Sequence, residues 1–302
     1  MDSQNAAPES ISVIIPNLHS PIVGEVIAAL RAQTLAPKIR EIVVVGMDRY
    51  GQVLPDRLVR ALATPHAVPP GVARNIGAAE ASGEFLLFLD ADCLLAPSGL
   101  AQLIAALQQG FDAVVGGVVP EAGQYWRLCG NLMSFPEFLA IDPPGERDVL
   151  PSFCLCMTRS AWQRVGPFSD QHNAEDLDLS FRMRQAGYRL GCAPAARVYH
   201  RPARNSPGAL WRRHSGFGRD FYQVYCRYRS IMPRSEAIWI CERLPRALAL
   251  LLMAALAPTY VARLMLRRPQ LRRLWYAFPG MAWAQLGWYY GIAQATRPQA
   301  SL

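Results

Sequence analysis

The run Glu84-Phe85-Leu86-Leu87-Phe88-Leu89, closed by Asp90-Ala91-Asp92, constrains this chain more than any other stretch. Five consecutive apolar residues without alternation predict a strand buried on both faces, the pattern of a mostly parallel sheet covered by helices. Two carboxylates one residue apart stand where that strand stops, and in open α/β sheets ligands bind at the carboxyl ends of strands. Hard divalent cations take oxygen ligands, and Mg²⁺ is held by one or two carboxylates plus substrate phosphates. The stretch points either to a metal–diphosphate site or to two solvated turn aspartates, and its surroundings must decide.

Taken in order, Ile11-Ser12-Val13-Ile14-Ile15-Pro16 reads as a first buried strand. Ser20 and Pro21 read as a helix start, a capping hydroxyl followed by proline at the first position, with Val23, Val26, Ile27 and Leu30 at helical spacing. Arg40 to Gly46 reads as a second strand, which predicts a parallel pair joined by a right-handed crossover. Residues 47–70 read as turns, and Gly71 to Ala79 as a small-residue helix whose glycine implies close packing. Pro97 and Ser98 open a helix with Leu100, Leu103, Ile104 and Leu107 on one face, and Asp112 to Gly117 is a further strand. This alternation over residues 1–120 is that of an α/β domain. Residues 121–150 read as an irregular insertion or substrate loop. Strands follow at Phe153–Met157 and Ala196–His200. Between them Ala174–Arg184 reads as a helix ending at Gly187, its acids in the first turn and its arginines later, as the helix dipole favours.

Charge divides the 302 residues unevenly. Residues 1–200 carry 15 Lys and Arg against 20 Asp and Glu, a net of −5. Residues 201–302 carry 16 Arg against Asp220, Glu236 and Glu242, a net of +13. Such asymmetry points to a polyanionic partner for the rear part, nucleic acid or an anionic membrane. The seven cysteines form no pair of Cys-x-x-Cys units for zinc and read as reduced thiols filling a cytosolic core. Residues 1–10 read as a disordered tail without the basic and apolar regions of a signal peptide, so the front part is expected in the cytosol.

Six motifs carry a resemblance: Val13-Ile14-Ile15-Pro16, Ala73-Arg74-Asn75-Ile76-Gly77, Phe88-Leu89-Asp90-Ala91-Asp92, Gly166-Pro167-Phe168, Glu175-Asp176-Leu177-Asp178 and Val198-Tyr199-His200. In order and spacing they resemble a family 2 glycosyltransferase of the GT-A fold, over roughly residues 11–200. The resemblance implies a Rossmann-like α/β domain with a mixed, mainly parallel sheet and helices on both faces. It implies inverting transfer of a sugar from a nucleotide-diphosphate sugar, with Mn²⁺ or Mg²⁺ as the divalent metal. Asp92 matches the principal metal-binding position, with Asp90 supporting the metal or the donor ribose, and His200 matches a further metal contact. Asp176 matches the general base, a role that suits a carboxylate in reach of the acceptor hydroxyl, although an acid at a helix N-terminus also has a purely structural use. Glu175 is expected to bind or orient the acceptor, and Asp178 and Asn75 to be structural. Arg74 is expected at the nucleotide or its phosphates, a solvated helix arginine being the alternative, and Pro16 and Asn17 fall where the first strand end meets the nucleoside. One stretch departs from the pattern. The second strand of the family is usually followed by an acidic, serine-containing turn that holds the base; here the turn reads Gly46-Met47-Asp48-Arg49-Tyr50, and only Asp48 is acidic.

Behind a catalytic domain of residues 1–205, residues 206–302 are expected to form a basic, apolar, helical and membrane-associated region. Arg212 and Arg213 either close over the diphosphate or form a solvated face near lipid headgroups. The absence of Gln-x-x-Arg-Trp argues against processive synthesis of the cellulose or hyaluronan type. Residues 247–262 and 274–296 carry no charge, and the first stretch is shorter than the ~20 residues of a spanning helix. If both crossed a bilayer, Arg263, Arg267, Arg268, Arg272 and Arg273 would be translocated, against the positive-inside rule. Interfacial helices or a re-entrant hairpin at the cytoplasmic face are therefore expected, with Trp275, Tyr276, Trp283, Trp288, Tyr289 and Tyr290 at the boundary. An ordinary helical cap over the sheet is the alternative. Uncharged stretches among the arginines favour an anionic membrane over nucleic acid, and with it a lipid-linked or membrane-presented glycan acceptor. Two other classes stay open: a sugar-1-phosphate nucleotidyltransferase, whose Gly-rich loop residues 16–24 lack, and a non-catalytic nucleotide-sugar binder or membrane scaffold.

Overall fold

The computed structural model describes residues 10–171 and 173–296; the stretch before residue 10, read as a disordered tail, lies outside them. The chain forms two compact units, one of residues up to Val119 with Glu137–Ala203, the other of Pro120–Pro136 with Arg204 onward.

The first unit runs β1 (Ile11–Leu18), α1 (Val23–Arg31), β2 (Ile39–Met47), β3 (Val59–Ala63), α2 (Pro70–Glu80), β4 (Phe85–Leu89), β5 (Cys93–Leu95), α3 (Gly99–Gln108) and β6 (Ala113–Val118). After α4 (Tyr125–Ser134), which belongs to the second unit, it continues with β7 (Gly145–Glu146), β8 (Cys154–Thr158), α5 (Arg159–Val165), α6 (Glu175–Gln185) and β9 (Leu190–His200). One sheet takes the order β3-β2-β1-β4-β8-β6-β9-β5, with β7 beside β9. The strands β1 to β4 pair in parallel, β8 is antiparallel to both β4 and β6, β6 and β9 are parallel again, and β5 is antiparallel to β9. This is the expected mixed, mainly parallel α/β sheet. Every residue of β4 is buried, as its unbroken apolar run requires. Side chains alternate along β1 and β2, and residues of both faces are buried: Ile14, Val43 and Val45 on one, Val13, Ile15, Ile42 and Val44 on the other. On the first of these faces α2 comes so close that a Cβ on Gly77 would stand 2.5 Å from Ile14 Cγ2.

Several elements differ from their expected form. Ser20 does not cap α1, whose N-cap is Ile22; its hydroxyl donates instead to Ala91 O at 2.7 Å. The turn-rich stretch 47–70 contains β3, a short strand with only Val59 buried, too weakly apolar to stand out. The stretch expected to be irregular contains α4, which buries Leu128, Cys129, Asn131, Leu132 and Met133.

The second unit comprises α4, α7 (Pro207–Tyr228), α8 (Glu236–Arg243), α9 (Arg246–Arg267), a 3-10 stretch (Pro269–Ala277) and α10 (Phe278–Ala295). Ser206 and Ser235 cap α7 and α8 through the amides of Ala209 and Ile238. Glycines let α7 and α10 touch through their backbones, Gly218 against Trp288 and Gly291 against Ser215. The uncharged stretch 247–262 is part of a 22-residue helix, since α9 continues through Arg263 to Arg267. Among the described residues α9 is the one helix long and apolar enough to cross a membrane. It buries only Ala249, Met253, Ala257, Val261 and Met265, one residue in four along a single stripe.

Candidate active site

Backbone hydrogen bonds shape the turn after β4. Asp90 N donates to Phe153 O (2.9 Å), Cys93 N to Asp90 O (3.0 Å), and Arg201 N to Asp92 O (2.7 Å). The turn is thereby held between the start of β8 and the end of β9, with both aspartate side chains partly exposed. His200 closes β9 and brings Nε2 to 3.5 Å from Asp92 Oδ1. Directly across the β5–β9 pair stands Cys93. Asp92, Cys93 and His200 offer one ligand atom each, all within 4.8 Å of one another. Carboxylate, imidazole and thiol are donors that suit a divalent cation.

Arg74, on α2, is not solvated. Its side chain is 3% exposed and is clasped by two carboxylates, Nη2 to Asp90 Oδ1 at 2.7 Å and Nη1 to Glu175 Oε1 at 2.6 Å. The guanidinium also lies 5.3 Å from the centre of the Phe168 ring. Burial opposes its charge, but Asp90 and Glu175 outweigh that and raise its pKa. Glu175 and Asp176 begin α6. Burial raises the pKa of each, Asp176 adding to the effect on Glu175 while Arg74 opposes it for both. The two carboxyls therefore titrate as a pair. Asp176 Oδ2 accepts from Ser152 N (3.1 Å) and Oδ1 from Leu177 N (2.8 Å), so both oxygens have a fixed direction. Ala174, just before the helix, takes a left-handed backbone with φ 62°.

The Gly166-Pro167-Phe168 segment is pinned from two sides. Asn75 exchanges two 2.9 Å hydrogen bonds with the backbone of Phe168. Arg182, itself paired with Asp178 at 3.0 Å, donates to Val165 O and Pro167 O. Asn75 and Asp178, expected to be structural, are engaged in these contacts. At the end of β1, Asn17 spends its amide on Met47 O and Ser20 N, joining β1 to β2 beside Pro16. Gly46 has φ +130° with its α-carbon against Asn17 O, a place only glycine can take. Asp48 accepts from Val53 N through Oδ2, while its buried Oδ1 has no partner among the described residues.

The structure thus gathers Asp90, Asp92, His200, Arg74 and Glu175 with Asp176 in one connected set. Arg212 and Arg213 lie on α7 in the second unit, where Arg213 stacks 4.1 Å over the ring of Phe217. Sequence reasoning passed over Ser20, Cys93, Ser152 and Arg182. Ser152 carries no local signal, and the one at Ser20 pointed to a helix cap and not to its contact with Ala91 O. Cys93 follows Asp92 directly, but its place opposite His200 depends on β5, which is too short to be seen as a strand.

The sequence profile described as Glycosyl transferase family 2 matches residues 12–164. This chain belongs to that family. A curated relative, the pre-mycofactocin glycosyltransferase of Mycobacterium tuberculosis (strain ATCC 25618 / H37Rv), is 30% identical over 151 residues, covering 47% of this chain. The chain spans 32% of that relative's length. Among solved structures, the mannosyltransferase PcManGT from Pyrobaculum calidifontis in complex with GDP-Man and Mn²⁺ matches with a TM-score of 0.61 and 18% identity, over 94% of this chain and 86% of that one. GalNAc-T7 with UDP, GalNAc and Mn²⁺ matches with a TM-score of 0.56 and 16% identity, over 73% of this chain and 48% of that one. At such identities these likenesses concern the fold, and the fold of this family 2 member is GT-A.

Proposed function

We propose that this protein transfers a sugar from a nucleotide-diphosphate donor to a hydroxyl acceptor, with inversion, at the cytoplasmic face of a membrane. One observation carries this reading: the buried Arg74 joins Asp90, beside the donor set of Asp92 and His200, to the Glu175–Asp176 pair at the start of α6. Asp92 and His200 would hold a divalent cation, with Asp90 at its side; the Mn²⁺ in the two structural neighbours supports Mn²⁺ as its identity. Such an ion, when bound, neutralises charge on the departing nucleoside diphosphate. Pro16, Asn17 and Asp48 would face the nucleoside, and the unpartnered Oδ1 of Asp48 suits a donor hydrogen bond from the base.

Asp176 takes the acceptor proton. The amide and hydroxyl of Ser152 both donate to Oδ2 and the amide of Leu177 takes one lone pair of Oδ1, which leaves the other lone pair of Oδ1 free to accept. As the acceptor oxygen bonds to the anomeric carbon, the bond from that carbon to the diphosphate breaks on the opposite side. Arg74 fixes Asp90 and Glu175 in place, and Glu175 orients the acceptor beside Asp176. For the membrane, support comes from α9, an apolar helix with Leu248, Leu251, Leu252 and Leu266 exposed. That surface suits a lipid-linked or membrane-presented acceptor. The test is a screen of nucleotide sugars with Mn²⁺ and membrane lipid extract. Asp92→Asn should lose turnover and Mn²⁺-dependent donor binding while its thermal unfolding stays unchanged; full activity in Asp92→Asn refutes the metal assignment.

A further inference from the structure

Cys93 is fully buried, yet its Sγ is 4.0 Å from Asp92 Oδ1. Its position is set by strand pairing. Cys93 and His200 are direct partners across the antiparallel β5–β9 ladder, so their side chains share one face of the sheet. The next same-face pair, Leu95 and Val198, is buried, which places thiol and imidazole together at the end of a core-facing row.

The two separations from Asp92 are close to those of a coordination site. A four-coordinate cation bound at the ~2.0–2.3 Å distances usual for O, N and S donors separates O from N by roughly 3.4 Å and O from S by roughly 3.6 Å. Here those two separations are 3.5 Å and 4.0 Å, within a few tenths of an ångström, and the third, thiol to imidazole, lies within 4.8 Å, which a side-chain rotation would close as an ion binds. The second carboxylate of the turn is differently engaged, since Asp90 Oδ1 is bound by the buried Arg74. A carboxylate already neutralised by a guanidinium is a weaker metal ligand, and Cys93 supplies the third donor that Asp90 withholds.

We propose that Cys93 is a protein ligand of the ion held by Asp92 and His200, and that its sulfur biases this site toward thiophilic divalent cations such as Co²⁺, Zn²⁺ and Cd²⁺ over Mg²⁺. The proposal rests on the reading that Asp92 and His200 hold a cation. Thiolate is the ligand, so the Cys93 proton passes to solvent as the sulfur–metal bond forms. Soft sulfur strengthens binding of Zn²⁺ and Cd²⁺ and adds little for Mg²⁺ or Mn²⁺.

The test is optical and needs no turnover. Chelator-stripped full-length protein is titrated with Co²⁺, and the near-ultraviolet sulfur-to-cobalt charge-transfer band is followed in wild type, Cys93→Ser and Asp92→Asn. Wild type should develop the band and saturate at one equivalent, and Cys93→Ser should lack it while still binding Mn²⁺. In parallel, Cd²⁺ affinity should fall by about tenfold or more in Cys93→Ser, with Mn²⁺ affinity within about threefold of wild type. Co²⁺ binding that depends on Asp92 but gives no charge-transfer band would overturn the Cys93 assignment and leave the Asp92–His200 site standing. A band that survives in Cys93→Ser assigns the sulfur to another cysteine and also overturns it. Failure of Co²⁺, Cd²⁺ and Mn²⁺ alike to bind wild type overturns both readings together. Circular dichroism of Cys93→Ser separates loss of a ligand from loss of the fold, and Cys93→Ala, which fills less space and offers no donor, should reproduce the optical result.

Discussion

Asp176 gains its chemistry from its surroundings at single-residue scale. Burial raises its pKa, with Arg74 and the amides of Ser152 and Leu177 opposing. A general base works ionised, so activity should fall as pH drops through this raised value. The acid limb of kcat/KM should therefore report the Glu175–Asp176 pair and lie clearly above the ~3.9 of an ordinary aspartate, and a limb at that ordinary value would exclude this pair as the source of the base. Asp176→Asn should lower kcat by ~10²–10⁴-fold with donor affinity nearly kept. Loss of donor affinity with kcat retained would instead move Asp176 to the donor site. Beside it, Ala174 holds a left-handed backbone that costs a non-glycine residue ~1–2 kcal/mol. A β-branched side chain tolerates this conformation worse, so Ala174→Val should lower stability by about 2 kcal/mol in urea unfolding, whereas Ala174→Gly should hold or slightly raise it.

Two helices show how an element depends on one position. The seat of α2 on the sheet depends on Gly77, where a Cβ would meet Ile14 Cγ2 at 2.5 Å and Val45 Cγ2 at 3.2 Å. Gly77→Val must push α2 outward and should cost about 3 kcal/mol, read as a lower urea midpoint. Because α2 also carries Arg74, activity should fall with it. In α7, His214 is 3% exposed and its Nε2 has no hydrogen-bond partner among the described residues. Burial, then the charge of Arg213, lowers its pKa to about 3, well below the ~6.5 of an unfolded chain. The unfolded chain gains a proton below pH ~6.5 that the folded helix refuses down to about 3, so His214 withdraws stability progressively as pH falls through that window. His214→Leu should flatten the stability curve there, and parallel curves for the two proteins would count against this account.

Charge and exposed apolar surface meet at the scale of the whole molecule. The net of +13 over residues 201–302 coexists with α9, a leucine-rich helix that buries only every fourth residue. A largely apolar helix fully buried along one stripe presents exposed apolar surface, which the proposed membrane association would cover. Arg263, Arg267, Arg272 and Arg273 at and beyond its end are exposed, and Arg268 is half-buried. Each basic residue near an anionic surface contributes about 1 kcal/mol, which salt screens, while apolar insertion is insensitive to salt. Vesicle binding should therefore rise with anionic lipid and fall only partly in high salt. Changing the five arginines to Gln should remove the salt-sensitive part, and Leu248, Leu251 and Leu252 to Gln the remainder. Binding that vanishes in high salt would leave no role for the leucine face.

Local patterns of the chain already determined much of this. The unbroken apolar run Phe85–Leu89 dictated a buried strand, because a strand covered on both faces has no polar side to alternate with. Asp90 and Asp92 at its end, the acids of Glu175–Asp178 in a first helical turn, and the small-residue helix around Gly77 were equally legible, since each follows from spacing within about one or two turns of chain. Ala73-Arg74-Asn75 marked Arg74 as important but not what it touches. Its partner Glu175 is 101 residues away, Asn75 meets Phe168 across 93, and Cys93 faces His200 only because β5 and β9 pair in register. Such meetings depend on strand order and crossover, which local periodicity does not encode. Composition could show that α9 is apolar. Only the packed structure decided that a single stripe of it is covered, because burial belongs to the neighbours a helix finds and not to the helix itself.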